Sequence, residues 1–418
     1  MMTELLLDTS STFADNMQLP VHRWFKYTAG FSAKWVESVL LEKSIEKELR
    51  VIDPFVGSGT VVIQSEINNI QAIGIESHPL VNKVANAKLQ WRYDIKEVKE
   101  YFDKIFSKAQ NVENCHFDYP DIIIKCYSFD NLKKLSKLKV AWDEIPANGD
   151  LKNLGWFLIT SILRSTSHVG TAQWQYVLPN KSKSKVLEPF HAYSIKMHEI
   201  LRDIEFMQSR YKENKKGVII NDDSRSIEHV ESGWANLVIT SPPYANNYDY
   251  ADATRIELSF WGGISSYSDL QETVRNSLVR ACTQHVSGMN KEVEMYLKSE
   301  ELKSISEELI PIYEQLGEIR KTKGGKKNYH FMVVSYLYDL SKVFASLRRI
   351  TSRDVEMCFV IGDSAPYGIY VPVDDFLGKL AIANGFNDFY FEKTRDRNIK
   401  WKNRKHTVPL KEGRLWIK

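Results

Sequence analysis

Leu49-Arg50-Val51-Ile52-Asp53-Pro54-Phe55-Val56-Gly57-Ser58-Gly59-Thr60 is a short apolar run that ends on an acid and passes through a proline into two closely spaced glycines. Val61 to Ile67 then has helical character, and Gln71-Ala72-Ile73-Gly74-Ile75-Glu76 repeats the pattern of an apolar run ending on an acid. Strand, glycine turn, helix and strand make a βαβ unit, which predicts a parallel sheet with crossover helices. A glycine turn entering a helix also puts backbone N–H groups and the positive end of a dipole against a ligand.

The chemistry of that turn is selective. Gly57 and Gly59 permit close backbone approach, but the third position of a G-x-G-x-x-G fingerprint is Val62, which weakens a dinucleotide reading. Asp53 at the strand end repels a pyrophosphate and suits a cationic group such as an amino acid ammonium. Glu76, closing the second strand, is placed to accept both hydroxyls of a ribose. Two such acids favour a nucleoside with a positive tail. The alternative is an ordinary tight turn with a solvated acid after it, and it weakens once Asp53, Gly57, Gly59 and Glu76 are taken together.

Further along, Asn236-Leu237-Val238-Ile239 runs into Thr240-Ser241-Pro242-Pro243-Tyr244. Two successive prolines cannot donate to a sheet ladder, so the strand stops there with a stiff, extended backbone. A hydroxyl, rigid carbonyls and an aromatic face at that edge suit a flat molecule with an exocyclic amine, and a nucleobase is such a molecule. Asn246-Asn247-Tyr248-Asp249-Tyr250 adds polar and aromatic candidates for its pocket, with a capped loop and two packed tyrosines as the equal alternative.

The two motifs together resemble those of the exocyclic-amino DNA methyltransferases, which use S-adenosylmethionine. The resemblance implies a doubly wound, mostly parallel Rossmann-like methyltransferase sheet with two largely helical insertions. It implies that Asp53, Phe55, Gly57, Ser58 and Gly59 hold the methionine part of the cofactor and that Glu76 holds its ribose. The acid that contacts the adenine amine falls on Asp222 or Asp223, with Asp223 preferred. Gly30-Phe31-Ser32-Ala33-Lys34 resembles the segment that closes over the methionine moiety, which makes Phe31 a cofactor contact. Ser241, Pro242, Pro243 and Tyr244 become the catalytic group: Ser241 Oγ and the Pro242 carbonyl accept from the amine, and Tyr244 stacks on a base turned out of the duplex. Ser in the first position is commoner among cytosine-N4 enzymes and Asp among adenine-N6 enzymes, so cytosine is favoured. Adenine-N6 and RNA amino-methylation stay open. Carbon-5 methylation is disfavoured, because it needs a thiolate, usually in a Pro-Cys pair, and no cysteine here follows a proline.

The resemblance divides the chain into 1–96 (closing segment and first half of the core), 97–216 (an insertion and candidate target-recognition region), 217–264 (core with the Ser-Pro-Pro-Tyr motif), 265–329 (a second helical insertion) and 330–418 (the rest of the core with a basic tail). Within these, Pro179 to Lys185 reads as a basic, turn-rich loop, Phe331 to Ile350 as a long amphipathic helix and Val355 to Ile361 as a strand.

Composition narrows the rest. The 418 residues carry 56 Lys and Arg against 53 Asp and Glu, a formal charge of +3, so any nucleic-acid contact must come from local clusters. Three are candidates: Lys181, Lys183 and Lys185; Arg320, Lys321, Lys323, Lys326 and Lys327; and Arg395, Arg397, Lys400, Lys402, Arg404 and Lys405 around Trp401. Each taken alone is more readily a solvated face. Cys115, Cys126, Cys282 and Cys358 lack CxxC spacing, and His22, His78 and His330 lack metal-ligand spacing, so no metal site and no disulfide framework is expected. A reducing cytoplasm fits, with no membrane span and no secretory leader. Double-stranded DNA is the implied partner, and a cognate restriction endonuclease is left open.

Overall fold

A computed structural model describes residues 13–27, 30–113, 115, 118–171, 177–397 and 408–418. Its strands are β1 (Arg50–Asp53), β2 (Gln71–Ile75), β3 (Val169–Thr171), β4 (Val177–Ser182), β5 (Val218–Ile220), β6 (Ala235–Thr240), β7 (Thr351–Gly362), β8 (Phe389–Arg397) and β9 (Leu410–Ile417). Seven of them form one sheet in the order β5-β2-β1-β6-β7-β9-β8. The pairs from β5 to β7 are parallel, and β9 runs antiparallel to both of its neighbours.

The order explains where a ligand can sit. From β1 the chain steps outward through β2 to β5, then returns to the other side of β1 as β6 and continues to β7. The neighbouring strands β1 and β6 therefore send their following loops in opposite directions, which opens a crevice at their carboxyl ends. Asp53 ends β1 and Thr240 ends β6, so the glycine loop and the Ser-Pro-Pro-Tyr segment flank one crevice.

Alternation along the central strands feeds two cores. On one face, Val51, Leu237, Ile239, Cys358 and Val360 pack with Trp35, Val62, Val84, Phe157 and Tyr193. On the other, Ile52, Val238, Met357, Phe359 and Ile361 pack with Leu309, Leu337, Phe344 and Phe376. Burial on both faces is why these strands read as nearly continuous apolar runs. The first face carries the helices of residues 97–216, among them Phe129–Glu144, Gly149–Thr166 and Pro189–Tyr211. The second carries Ser306–Thr322, Tyr329–Ile350 and Val373–Ala383.

Two local expectations are corrected. The stretch from Pro179 begins inside β4, which pairs with β3 as a small antiparallel hairpin, so the region is not purely loop and helix. The tail beyond residue 388 contributes β8 and β9 to the sheet rather than a basic appendage alone. β8 is an edge strand, and its sequence Phe-Tyr-Phe-Glu-Lys-Thr-Arg-Asp-Arg has the charge density that guards an edge against further pairing.

Candidate active site

The glycine loop owes its shape to two left-handed residues. Gly57 has φ +54°, and a Cβ there would stand 2.9 Å from Tyr27 Cε1; Gly59 has φ +91° and caps the helix Thr60–Ile67. An L side chain is strained at both positions. Glu76 braces the loop from the next strand, accepting from Gly57 N at 3.0 Å through one carboxylate oxygen and from His78 N at 2.8 Å through the other. From behind, the fully buried Lys88 donates to the Ser58 carbonyl at 2.8 Å, and burial pulls its ammonium down to about 7.

The two acids are kept from water in different ways. Asp53 is 1% exposed and spends Oδ1 on Phe55 N (3.0 Å) and on the Thr240 hydroxyl (2.6 Å). That last bond joins the first residue of one motif to the first residue of the other. Burial raises Asp53 to about 7 against these two hydrogen bonds. Glu76 faces the cleft, and burial raises it to about 8 despite its two backbone donors. Desolvation without a cation is the common cause.

At the end of β6, Ser241 Oγ donates to the Val360 carbonyl of β7 at 3.0 Å. Pro242 is buried and Pro243 lines the cleft. The Tyr244 ring has the Arg397 guanidinium 5.2 Å from its centroid, and Arg397 also donates to the Asp363 carbonyl at 2.7 Å. Burial raises the Tyr244 phenol, with the Glu412 carboxylate adding to the shift. Downstream, Asn247 accepts from Thr283 N (2.9 Å) and Oγ1 (2.8 Å), Asp249 caps the helix Tyr250–Ala253, and Tyr248 meets Tyr250 edge-on at 4.5 Å. Most of this loop is thus committed to holding itself, while Tyr250 lines the cleft.

Of the residues singled out in the sequence, Phe55, Gly57, Glu76, Asp223, Ser241 and Pro243 meet around one cleft. Asp53 lies beneath the glycine loop, and Ser58 and Gly59 form its turn into the helix. Asp223 is held by Arg225, whose Nη2 lies 2.6 Å from Oδ2; its neighbour Asp222 turns away to accept from Glu228 N and His229 Nδ1. Phe31 does not line the cleft: it is 6% exposed and packs edge-on against Trp35 at 5.4 Å. In the N-terminal segment it is Tyr27 that reaches the cleft. Its phenol is raised by burial first, and then by Glu76 and the nearby tyrosines. Sequence reasoning also missed His78 and the stretch Ser277, Leu278 and Val279, which comes to the cleft from residues 265–329. His78 bonds Thr254 Oγ1 at 2.9 Å, and burial lowers it to about 4, so it is neutral. Only its position two residues after Glu76 could have flagged it.

The basic stretches differ in how far their charge is spent. Lys181 and Lys185 are exposed, whereas Lys183 donates to the Arg164 carbonyl. Lys321, Lys323, Lys326 and Lys327 are exposed, with Lys321 paired to Glu318 at 2.6 Å. Arg395 binds Glu412 at 2.6 Å and Arg397 lies 3.6 Å from the same carboxylate. Lys400, Trp401, Lys402, Arg404 and Lys405 lie outside the described residues. No helix is long and apolar enough to cross a membrane among the described residues.

No family model and no solved structure match the chain. Curated proteins do. A 90-residue stretch, 22% of this chain and 17% of the relative, is 33% identical to Type II methyltransferase M.MjaII of Methanocaldococcus jannaschii. The chain is 23% identical over 412 residues to Type II methyltransferase M.AvaI of Anabaena variabilis, covering 90% of this chain and 81% of that one. Over 413 residues, 90% of this chain and 80% of the relative, it is 24% identical to Type II methyltransferase M.BsoBI of Geobacillus stearothermophilus, so a glycine-loop cleft beside a Ser-Pro-Pro-Tyr segment occurs here in a homologue of Type II methyltransferases.

Proposed function

We propose that the protein is a site-specific DNA methyltransferase that transfers the methyl group of S-adenosylmethionine to the N4 amine of cytosine in duplex DNA, as part of a restriction-modification or phage-defence system. The observation that carries this reading is the junction of the two motifs at the β1/β6 crevice, tied by the hydrogen bond from Thr240 to Asp53. The relatives' names support the reaction class.

The donor set fits a cationic nucleoside. Asp53 and Glu76 are raised carboxyls with no ion pair of their own among the described residues, and a positively charged ligand is what brings such groups back to the ionised form. Glu76 would hold the ribose hydroxyls, the Gly57 to Gly59 backbone and Phe55 the methionine part, Asp223 the adenine amine, and Tyr27 would close the cleft above the loop. When bound, the cofactor supplies an activated sulfonium methyl.

The chain's own task is to position and free an amine. The lone pair of an exocyclic amine is delocalised into its ring, and accepting both of its N–H groups favours a tetrahedral nitrogen that can attack. Ser241 is the first acceptor in this reading. A carbonyl cannot donate, so in the bond to Val360 the serine hydroxyl is the donor and its oxygen retains the capacity to accept, with the Tyr244 phenol as a neighbouring partner. The Pro242 carbonyl, on a backbone with no N–H of its own, is the second acceptor. Neither group has to be a strong base, because proton loss can follow attack. Tyr244 would stack on the flipped base, sharing its ring with Arg397.

The assay is transfer of labelled methyl from S-adenosylmethionine to duplex DNA, in parallel with structured RNA, followed by nucleoside analysis of the product. N4-methylcytosine in DNA is expected. N6-methyladenine moves the base assignment, label in RNA alone moves the substrate, and absence of cofactor binding by calorimetry removes the reading.

A further inference from the structure

Behind the cleft wall that carries Tyr250, three buried side chains converge from two loops. Asp249, Cys282 and His285 each offer a ligand atom, and these atoms lie within 4.8 Å of one another. Cys282 is fully buried, Asp249 is 4% exposed and His285 5%. We infer that Asp249, Cys282 and His285 hold a divalent metal ion of the zinc type, in a structural site that pins the loop of Cys282 to the loop of Asp249. The inference goes beyond the methyltransferase reading and does not depend on it.

Three observations carry it. First, neither Nδ1 nor Nε2 of His285 has a hydrogen-bond partner among the described residues, although its side chain is only 1% exposed. Nε2 stands 3.7 Å from Asp249 Oδ1, too far for a hydrogen bond. A buried imidazole with both nitrogens unpaired is costly, and metal ligation at one of them resolves the cost. Second, Cys282-Thr283-Gln284-His285 is a C-x-x-H turn closed by His285 N donating to the Cys282 carbonyl at 3.2 Å, which brings the sulfur and the imidazole together beside Asp249. Third, the carboxylate is pre-oriented. Arg275 takes Oδ2 through Nε at 3.2 Å and Nη2 at 2.7 Å, while Oδ1 faces the histidine and accepts from Ala251 N at 3.1 Å and Asp252 N at 3.4 Å.

One sulfur, one imidazole nitrogen and one carboxylate oxygen form a mixed set that suits zinc. Tetrahedral ligation at about 2.0–2.3 Å would draw the three atoms closer together than 4.8 Å. On binding, the Cys282 S–H gives its proton to solvent and the sulfur–metal bond forms. Asn247 already ties the same loops, donating from its backbone to the Ala281 carbonyl at 3.2 Å and accepting from Thr283. A metal would complete the clamp beside Tyr250, a residue of the cleft.

The test uses the full chain, purified without chelator and dialysed against metal-free buffer, with metal measured by plasma mass spectrometry. About one equivalent of zinc per chain is expected, and Co2+ loading of metal-stripped protein should give a thiolate-to-cobalt charge-transfer band. Cys282→Ser should lose the band and His285→Asn most of the metal, while Cys126→Ser keeps both. Should the site variants fail to fold, the native chain decides: chelator should lower its unfolding temperature and added zinc restore it, and no change on chelation counts against the inference. Native protein with less than about a tenth of an equivalent of metal and no cobalt band overturns the inference. So does metal retained in full by Cys282→Ser and His285→Asn.

Discussion

The two walls of the cleft are built on different plans. The wall that runs from Asp53 to Glu76 is local: one βαβ unit supplies both acids and both left-handed glycines, and Gly57 N reaches Glu76 across nineteen positions of sequence. The wall around Ser241 is assembled from afar. Ser241 bonds the Val360 carbonyl 119 positions away, Arg397 covers Tyr244, and Ser277 to Val279 arrive from the segment beyond residue 265. Beyond the β1–β6 ladder, the hydrogen bond from Thr240 to Asp53 couples the walls at their base, and Ser277 Oγ donates to the Ser77 carbonyl at 3.2 Å nearer the rim. The lesson is that the local wall shapes a ligand site by backbone conformation, while the assembled wall tunes individual side chains through partners that no motif contains.

The sharpest way to break that comparison is to remove the assembled wall's key acceptor and leave the other wall alone. Ser241→Ala deletes the oxygen whose lone pairs the Val360 contact leaves available. Loss of one such positioned group costs about 10²–10³ in turnover. Cofactor affinity should stay within about threefold, since the substitution leaves Gly57 and Glu76 untouched. Single-turnover methyl transfer and calorimetry read the two quantities separately. A parallel collapse of both would mean that the walls do not act independently.

The local wall has its own signature, in pH. Glu76 is raised by burial from 4.5 to about 8, with two backbone donors opposing the shift. Between those values the unfolded chain has lost the proton that the folded chain keeps, so stability falls as pH rises through the window and levels off beyond it. The group can contribute at most roughly 1.4 kcal/mol per pH unit. Glu76→Gln should flatten that part of the profile in denaturant unfolding of the ligand-free protein. A wild-type profile that rises with pH over the same window, or a difference curve with no slope, contradicts the assigned burial of this acid.

The same contrast explains what could be read in advance. The βαβ unit, β5, β6 and the helix Tyr329–Ile350 are written in local periodicity, and the motifs at the ends of β1, β2 and β6 fall where the chain reverses its march across the sheet. β8 escaped because an edge strand dense in charge looks like a solvated tail, and β9 because Leu-Lys-Glu-Gly-Arg-Leu-Trp-Ile lacks clean alternation. Tyr27 had no reading in sequence, because the resemblance of Gly30 to Lys34 pointed to Phe31 and a local match does not say which ring faces a cleft and which the core. The convergence of Asp249 on Cys282 and His285 had no reading in sequence, since Cys-x-x-His was outside the CxxC pattern sought and its third member lies 33 positions earlier.

A weaker effect sharpens the comparison at the surface, where charge rather than geometry is at issue. The exposed Lys181 and Lys185 belong to residues 97–216, the segment proposed to read DNA, whereas Arg395 is bound to Glu412 beside the assembled wall. A free lysine on a phosphate releases about one counterion, so each lost contact lowers the slope of log affinity against log salt by about 0.9. Replacing Lys181 and Lys185 together with Gln should therefore reduce that slope by about 2 and weaken binding to specific and nonspecific duplexes alike. Arg395→Gln should change the slope by less than about 1, because its charge is already shared with a carboxylate. Fluorescence anisotropy of labelled duplex across a salt series measures both. If the arginine variant shows the larger change, the edge strand β8 rather than the first insertion faces the phosphates, and the search for the sequence-reading surface moves to the assembled wall.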